Sequence, residues 1–158
     1  MHSSSGGVFS ILAEQTIKQG GVVFGARFDE NWEVKHDYTE TIDGVSVFRG
    51  SKYVQSKTGD TFKQAEQFLK QNRKVLFSGT PCQIVALKRY LKKEYENLLL
   101  VDFICHGVPS PGVWRKYLKQ VIALTCDKNT VSSHLKLLLS ERNALVEGIS
   151  FRDKRLGW

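Results

Sequence analysis

Twice along this chain an aliphatic run ends on a short turn that carries a cysteine and leads toward a proline-started helix. VLF at Val75–Phe77 runs into GTPCQ at Gly79–Gln83, and LLLVDF at Leu98–Phe103 runs into ICHGVPSP at Ile104–Pro111. Short, continuously apolar strands that alternate with helices feed a parallel sheet covered on both faces. Two thiols delivered at equivalent strand ends can face one site, and such sites hold metal clusters, redox cofactors or nucleophiles. A redox cofactor protein is the first hypothesis.

The rest of the chain extends that pattern. Val8, Ile11, Leu12 and Ile17 predict a helix that stops at Gly20–Gly21. GVVFGARFD predicts a buried strand over Val22–Phe28, and Trp32–His36 an alternating partner across a turn at Asp29–Asn31, so a hairpin is expected. Asp43–Gly44 marks a further turn before VSVF, and RGSKYVQS (Arg49–Ser56) taken alone reads as an ordinary strand. Phe62, Ala65, Phe68 and Leu69 predict a helix over Thr61–Gln71. Pro81 suits a first helical turn, with Ile84, Leu87, Tyr90 and Leu91 continuing the stripe to about Lys92. Leu98–Ile104 reads as a buried strand, Pro111 opens another helix, the pattern weakens over Thr125–Glu147, and Gly148–Phe151 resumes as a strand. The expected fold is a single α/β domain (α+β the alternative), a layered mixed sheet flanked by helices.

Bulk properties set limits. A chain of 158 residues, 41% hydrophobic and 25% charged, can bury one substantial core. No apolar run reaches the roughly 20 residues of a membrane helix, and MHSSSGGVFS lacks the basic and apolar regions of a signal peptide. The cysteines, Cys82, Cys105 and Cys126, are too few and too irregular for a disulfide framework, which fits a reducing cytoplasm. The net charge of +7 is scattered, and its densest cluster, Lys88, Arg89, Lys92 and Lys93, reads as a solvated helix face. No nucleic-acid reading motif accompanies it.

Among single residues, Cys82 has the clearest local physics. It follows Pro81 at a helix start, where exposed backbone N–H groups and the helix dipole favour a thiolate. A cysteine packed under the helix is the plain alternative. His106 beside Cys105 could carry a proton, donate to a flavin or substrate, or ligate a metal; equally it could cap a carbonyl. Zinc competes for Cys82, Cys105 and His106, but the chain has no CxxC pair. Three cysteines also fall short of the four that an all-cysteine iron–sulfur set needs. Ser3–Gly7 before the first helix suits phosphate, and Arg49, Lys52 and Tyr53 add cations and a stacking ring. Asp102 reads as a satisfied core carboxylate, while His36 and His134 read as surface residues.

Taken in order, SSSGGVFS, GGVVFGARFD, RGSKYVQS, VLFSGTPCQI, LLLVDFICHGVPSP and ISFRDKRLGW resemble the coenzyme F-420 hydrogenase/dehydrogenase beta-subunit family, in particular its bacterial polysaccharide-locus branch. The resemblance implies a flavin- and iron–sulfur-linked oxidoreductase that binds FAD and passes electrons between an iron–sulfur centre and a small-molecule hydride carrier. It makes Cys82 and Cys105 ligands of a [4Fe–4S] cluster, and Ser4, Ser5, Gly6, Gly7, Lys52, Tyr53, Gly79 and Thr80 candidates for the flavin pocket. Many relatives carry an N-terminal ferredoxin-like domain and continue past RDKxxGW into a further cysteine segment. The expectation is therefore a partial member, its cluster completed by an electron-transfer partner or a missing domain. Cys126 matches no family motif. Two other readings stay open: a non-catalytic module that keeps the fold, and a thiol enzyme using Cys82 with His106.

Overall fold

In the computed structural model, β1 (Val22–Phe28), β2 (Val34–Thr39), β3 (Val75–Gly79) and β4 (Leu98–Asp102) form one mixed sheet in the order β2-β1-β3-β4. The structure describes residues 7–125. The chain divides into two units, Met1–Pro111 and Gly112–Trp158, and the sheet belongs to the first. β1 and β2 are an antiparallel hairpin, whereas β1–β3 and β3–β4 are parallel. Asp29 builds the hairpin turn: its carboxylate accepts from the Asn31 and Glu33 amides, both at 2.9 Å. The parallel pairs follow from the long crossovers that hold α2 (Thr61–Lys70) and α3 (Pro81–Leu91).

Alternation along the strands divides the core between two faces. Val22, Phe24, Val75 and Phe77 pack with Ala65 and Leu69 of α2 and Ile84, Leu87 and Leu91 of α3. Val23 and Leu76 pack on the other face, with Ala13 of α1 (Val8–Lys18) and with Val45 and Phe48. The Phe24 and Phe77 rings stack at 5.4 Å at the centre of the first face. The layered α/β architecture read from the sequence is present. In the second unit the described element is α4 (Pro111–Thr125), where Trp114 and Tyr117 stack at 5.7 Å. The readings made for 126–158, including the strand at Gly148–Phe151, lie outside the described residues.

One unassigned stretch gains a form and two local expectations change. VSVF lies in a 3-10 helix, Asp43–Phe48, because Val45 and Phe48 eclipse at a spacing of three and both are buried. RGSKYVQS is a loop rather than a strand. It turns at Gly50 and buries Val54, and the residue after it, Lys57, forms an isolated bridge with Lys35 at the sheet edge. The strand at Leu98 ends at Asp102 and is only half-buried: Leu98 and Leu100 face the core, whereas Leu99 is 43% exposed. Among the described residues β4 has one sheet neighbour, which leaves Asp102 exposed rather than a core carboxylate.

Candidate functional site

The two cysteine turns leave neighbouring strands in register. Gly79 at the end of β3 pairs with Asp102 at the end of β4, and each cysteine lies three positions further on, Cys82 and Cys105. Both thiols are free and exposed. Carboxyl ends of parallel strands are where open α/β sheets bind ligands. The GTPCQ turn has the expected helix start: Thr80 is the N-cap of α3 and Pro81 its first residue. Thr80 Oγ1 lies 3.1 Å from Cys82 Sγ. His106 and Gly107 are exposed in the second turn, where Gly107 takes a φ of 101° that favours glycine.

The loop after the 3-10 helix spans the two turns. The Gln55 amide donates to the Pro109 carbonyl at 3.2 Å, and the next residue, Ser56, accepts from Gln83 Nε2 at 2.8 Å. One dipeptide thus contacts the ICHGVPSP turn through its backbone and the GTPCQ turn through a hydroxyl.

Behind that contact stands a histidine that the sequence reading placed on the surface. His36 is 6% exposed, and its ring stacks on Phe77 at 5.4 Å and 9°. Nε2 lies 3.0 Å from the Ser78 carbonyl, which can only accept, so Nε2 carries the proton. Nδ1 is left to accept from the Ser56 hydroxyl at 2.9 Å. Desolvation holds the His36 pKa below 6.5, against the opposing Ser78 hydrogen bond, so the neutral ring is the resting form. The Thr80 amide donates to Gln83 Oε1 at 3.0 Å, which fixes the amide orientation of Gln83 as well.

All four bonds therefore run one way: Thr80 N–H to Gln83, Gln83 to Ser56, Ser56 to His36, His36 to Ser78. They start and finish on either side of Gly79. A Cβ at Gly79 would lie 3.0 Å from Gln83 Oε1 and 3.6 Å from His36 Nε2. That side of the glycine is filled by the chain itself.

The other candidate residues are placed as follows. Lys52 Nζ donates to the Arg49 carbonyl at 2.7 Å and the Val47 carbonyl at 3.1 Å, and burial lowers its pKa from 10.5 to about 8. Tyr53 beside it is 56% exposed. Gly7 is the N-cap of α1, and Arg49 reaches that helix through Ser10 at 3.1 Å. Ser4, Ser5, Gly6, Cys126 and His134 lie outside the described residues. No three potential ligands converge on a metal position among the described residues. Cys82 and Cys105 alone do not complete a four-ligand cluster. No described helix is long and apolar enough to cross a membrane.

Residues 72–133 match the family model for the C terminus of the coenzyme F420 hydrogenase/dehydrogenase beta subunit. The match contains both cysteine turns. No curated protein matches the chain. Among solved structures it is similar to a chain of the F420-reducing [NiFe] hydrogenase complex from Methanosarcina barkeri, determined in a xenon-derivatised form. That likeness has a TM-score of 0.55 at 17% identity, and it covers 82% of this chain and 46% of the other. At that identity it carries the fold, and the chain spans less than half the length of that protein. Over residues 72–133 the chain is therefore similar to the C terminus of the coenzyme F420 hydrogenase/dehydrogenase beta subunit, and its fold is similar to that of a chain of the hydrogenase complex.

Proposed function

We propose that this chain is an oxidoreductase domain that moves electrons between an iron–sulfur centre and a small-molecule hydride carrier, with FAD as its flavin. The observation that carries the reading is the register of the two turns, Cys82 and Cys105 each three residues beyond the paired strand ends Gly79 and Asp102. Exposed thiols that leave adjacent strands side by side suit two ligands of one [4Fe–4S] cluster. The remaining ligands would come from residues outside the described ones or from an electron-transfer partner. Similarity to a chain of a multi-subunit hydrogenase supports such a partner. The flavin supplies two-electron chemistry when bound and the cluster single electrons.

The chain's own residues hold and orient. Gly7, Lys52, Tyr53, Gly79 and Thr80, with Ser4, Ser5 and Gly6, are the proposed flavin contacts. His106, exposed beside Cys105, is the proposed proton carrier of the hydride half-reaction. Cys82 serves as a ligand rather than a nucleophile in this reading. The test is an anaerobic absorption spectrum after incubation with FAD, iron and sulfide followed by gel filtration. Retained flavin bands together with broad cluster absorption support the proposal. A folded, colourless protein overturns it in favour of a non-catalytic module.

A further inference from the structure

The hydrogen-bonded loop around Gly79 is not explained by a ligand set alone. It draws on β2, on the loop at 49–57 and on α3, and every donor and acceptor in it is fixed in role. Its central group is the Ser56 hydroxyl, which accepts from Gln83 and donates to His36. The adjacent Gln55 amide holds Pro109 in the other cysteine turn. Val54, 6% exposed, anchors the same segment in the core.

We propose that Ser56 is a positioning residue: its hydroxyl, clamped between Gln83 and His36, sets the GTPCQ turn and, through Gln55, the ICHGVPSP turn, so that Cys82 and Cys105 are held in place by the polypeptide before any cofactor binds. The clamp has direction. Gln83 Nε2 and His36 Nδ1 compete for no common site on Ser56, one meeting a lone pair and the other the proton. Removing the hydroxyl leaves a buried imidazole nitrogen without its donor and releases the Gln83 side chain that holds the Thr80 amide. The proposal rests on reading the two turns as one redox site. Its test reads the polypeptide alone, so failure of the clamp and failure of the cofactor reading are separate outcomes.

The experiment is amide hydrogen exchange by NMR on the full chain, comparing wild type, Ser56→Ala and Ser56→Thr, with the His36 ring nitrogens observed in parallel. In Ser56→Ala the Thr80 and Gln55 amides should exchange about tenfold faster, while Leu76 and Phe77 at the centre of β3 keep their protection. The His36 Nδ1 resonance should move, and Ser56→Thr, which keeps the hydroxyl, should restore all three signals. Unchanged exchange at Thr80 and Gln55, or a loss shared equally by Leu76 and Phe77, would overturn the proposal. Should Ser56→Ala not fold, Gln83→Met carries the same test, read at the Gln55 amide and the His36 ring. Movement there supports the clamp, and silence there refutes it.

Discussion

Ser56 Oγ lies 2.9 Å from Nδ1 of His36, a bond that joins an irregular loop to a buried histidine of β2. Around it the chain closes a directional hydrogen-bond path over Gly79, directly behind the exposed Cys82. The site is thus supported by polar contacts that tie the GTPCQ and RGSKYVQS motifs to His36, a residue outside both.

Gly79 is the tightest point of that support. Gly79→Ala should destabilise the protein by about 1–3 kcal/mol, since the new methyl meets Gln83 Oε1 at 3.0 Å. Denaturant unfolding checks it. In a Gln83→Ala background the penalty should shrink, because the two positions share one space.

His36 gives stability a pH dependence of known sign. Its folded pKa is lowered by burial, so the unfolded chain binds the proton more readily than the folded one. The contribution is fully present above the ordinary value near 6.5 and is lost as pH falls from there toward the folded value. Unfolding free energy should drop by up to about 1.4 kcal/mol per pH unit in that window, and His36→Asn should lack this component.

The outline of the fold is legible in the sequence because it rests on periodicity. Val22–Phe28 and Val75–Gly79 match the expected strands, and α3 starts at Pro81 as its proline requires. Val45 and Phe48 are not legible as a 3-10 pair, since two apolar residues three apart fit a strand end as well as a tight helix. His36 escapes for a related reason. Alternation along β2 puts it inward, but its partners Ser56, Ser78 and Phe77 lie 20 to 42 residues away, beyond any local pattern. Alternation shared with Val34 gives the face, but the partners that satisfy a buried imidazole come only with the tertiary fold.

Lys52 should be an unusual amine. Burial lowers its pKa from 10.5 to about 8, so below that pH the charged form is held at a cost in stability. The contribution of the neutral amine is present above 10.5 and lost as pH falls through about 8. Acylation followed by mass spectrometry should give a Lys52 labelling midpoint near 8. A midpoint in the ordinary lysine range would contradict the desolvated position between the Val47 and Arg49 carbonyls.

Leu87 is fully buried where α3 meets β3, so it tests whether the cysteine-bearing helix is held by the core. Leu87→Ala should cost about 2–5 kcal/mol in denaturant unfolding. Val85, on the same helix and 48% exposed, should tolerate alanine with a change of about 0.5 kcal/mol or less.

The central claim is that Cys82 and Cys105 act together, and iron counting on the reconstituted protein tests it most directly. Wild type, Cys82→Ser and Cys105→Ser would be incubated anaerobically with iron and sulfide, together with the electron-transfer partner where one is identified, then desalted and assayed. The account predicts a cluster absorption band with stoichiometric iron in wild type, and loss of both in each single variant. A cluster that survives either substitution, or a wild-type protein that folds and retains no iron, would contradict it.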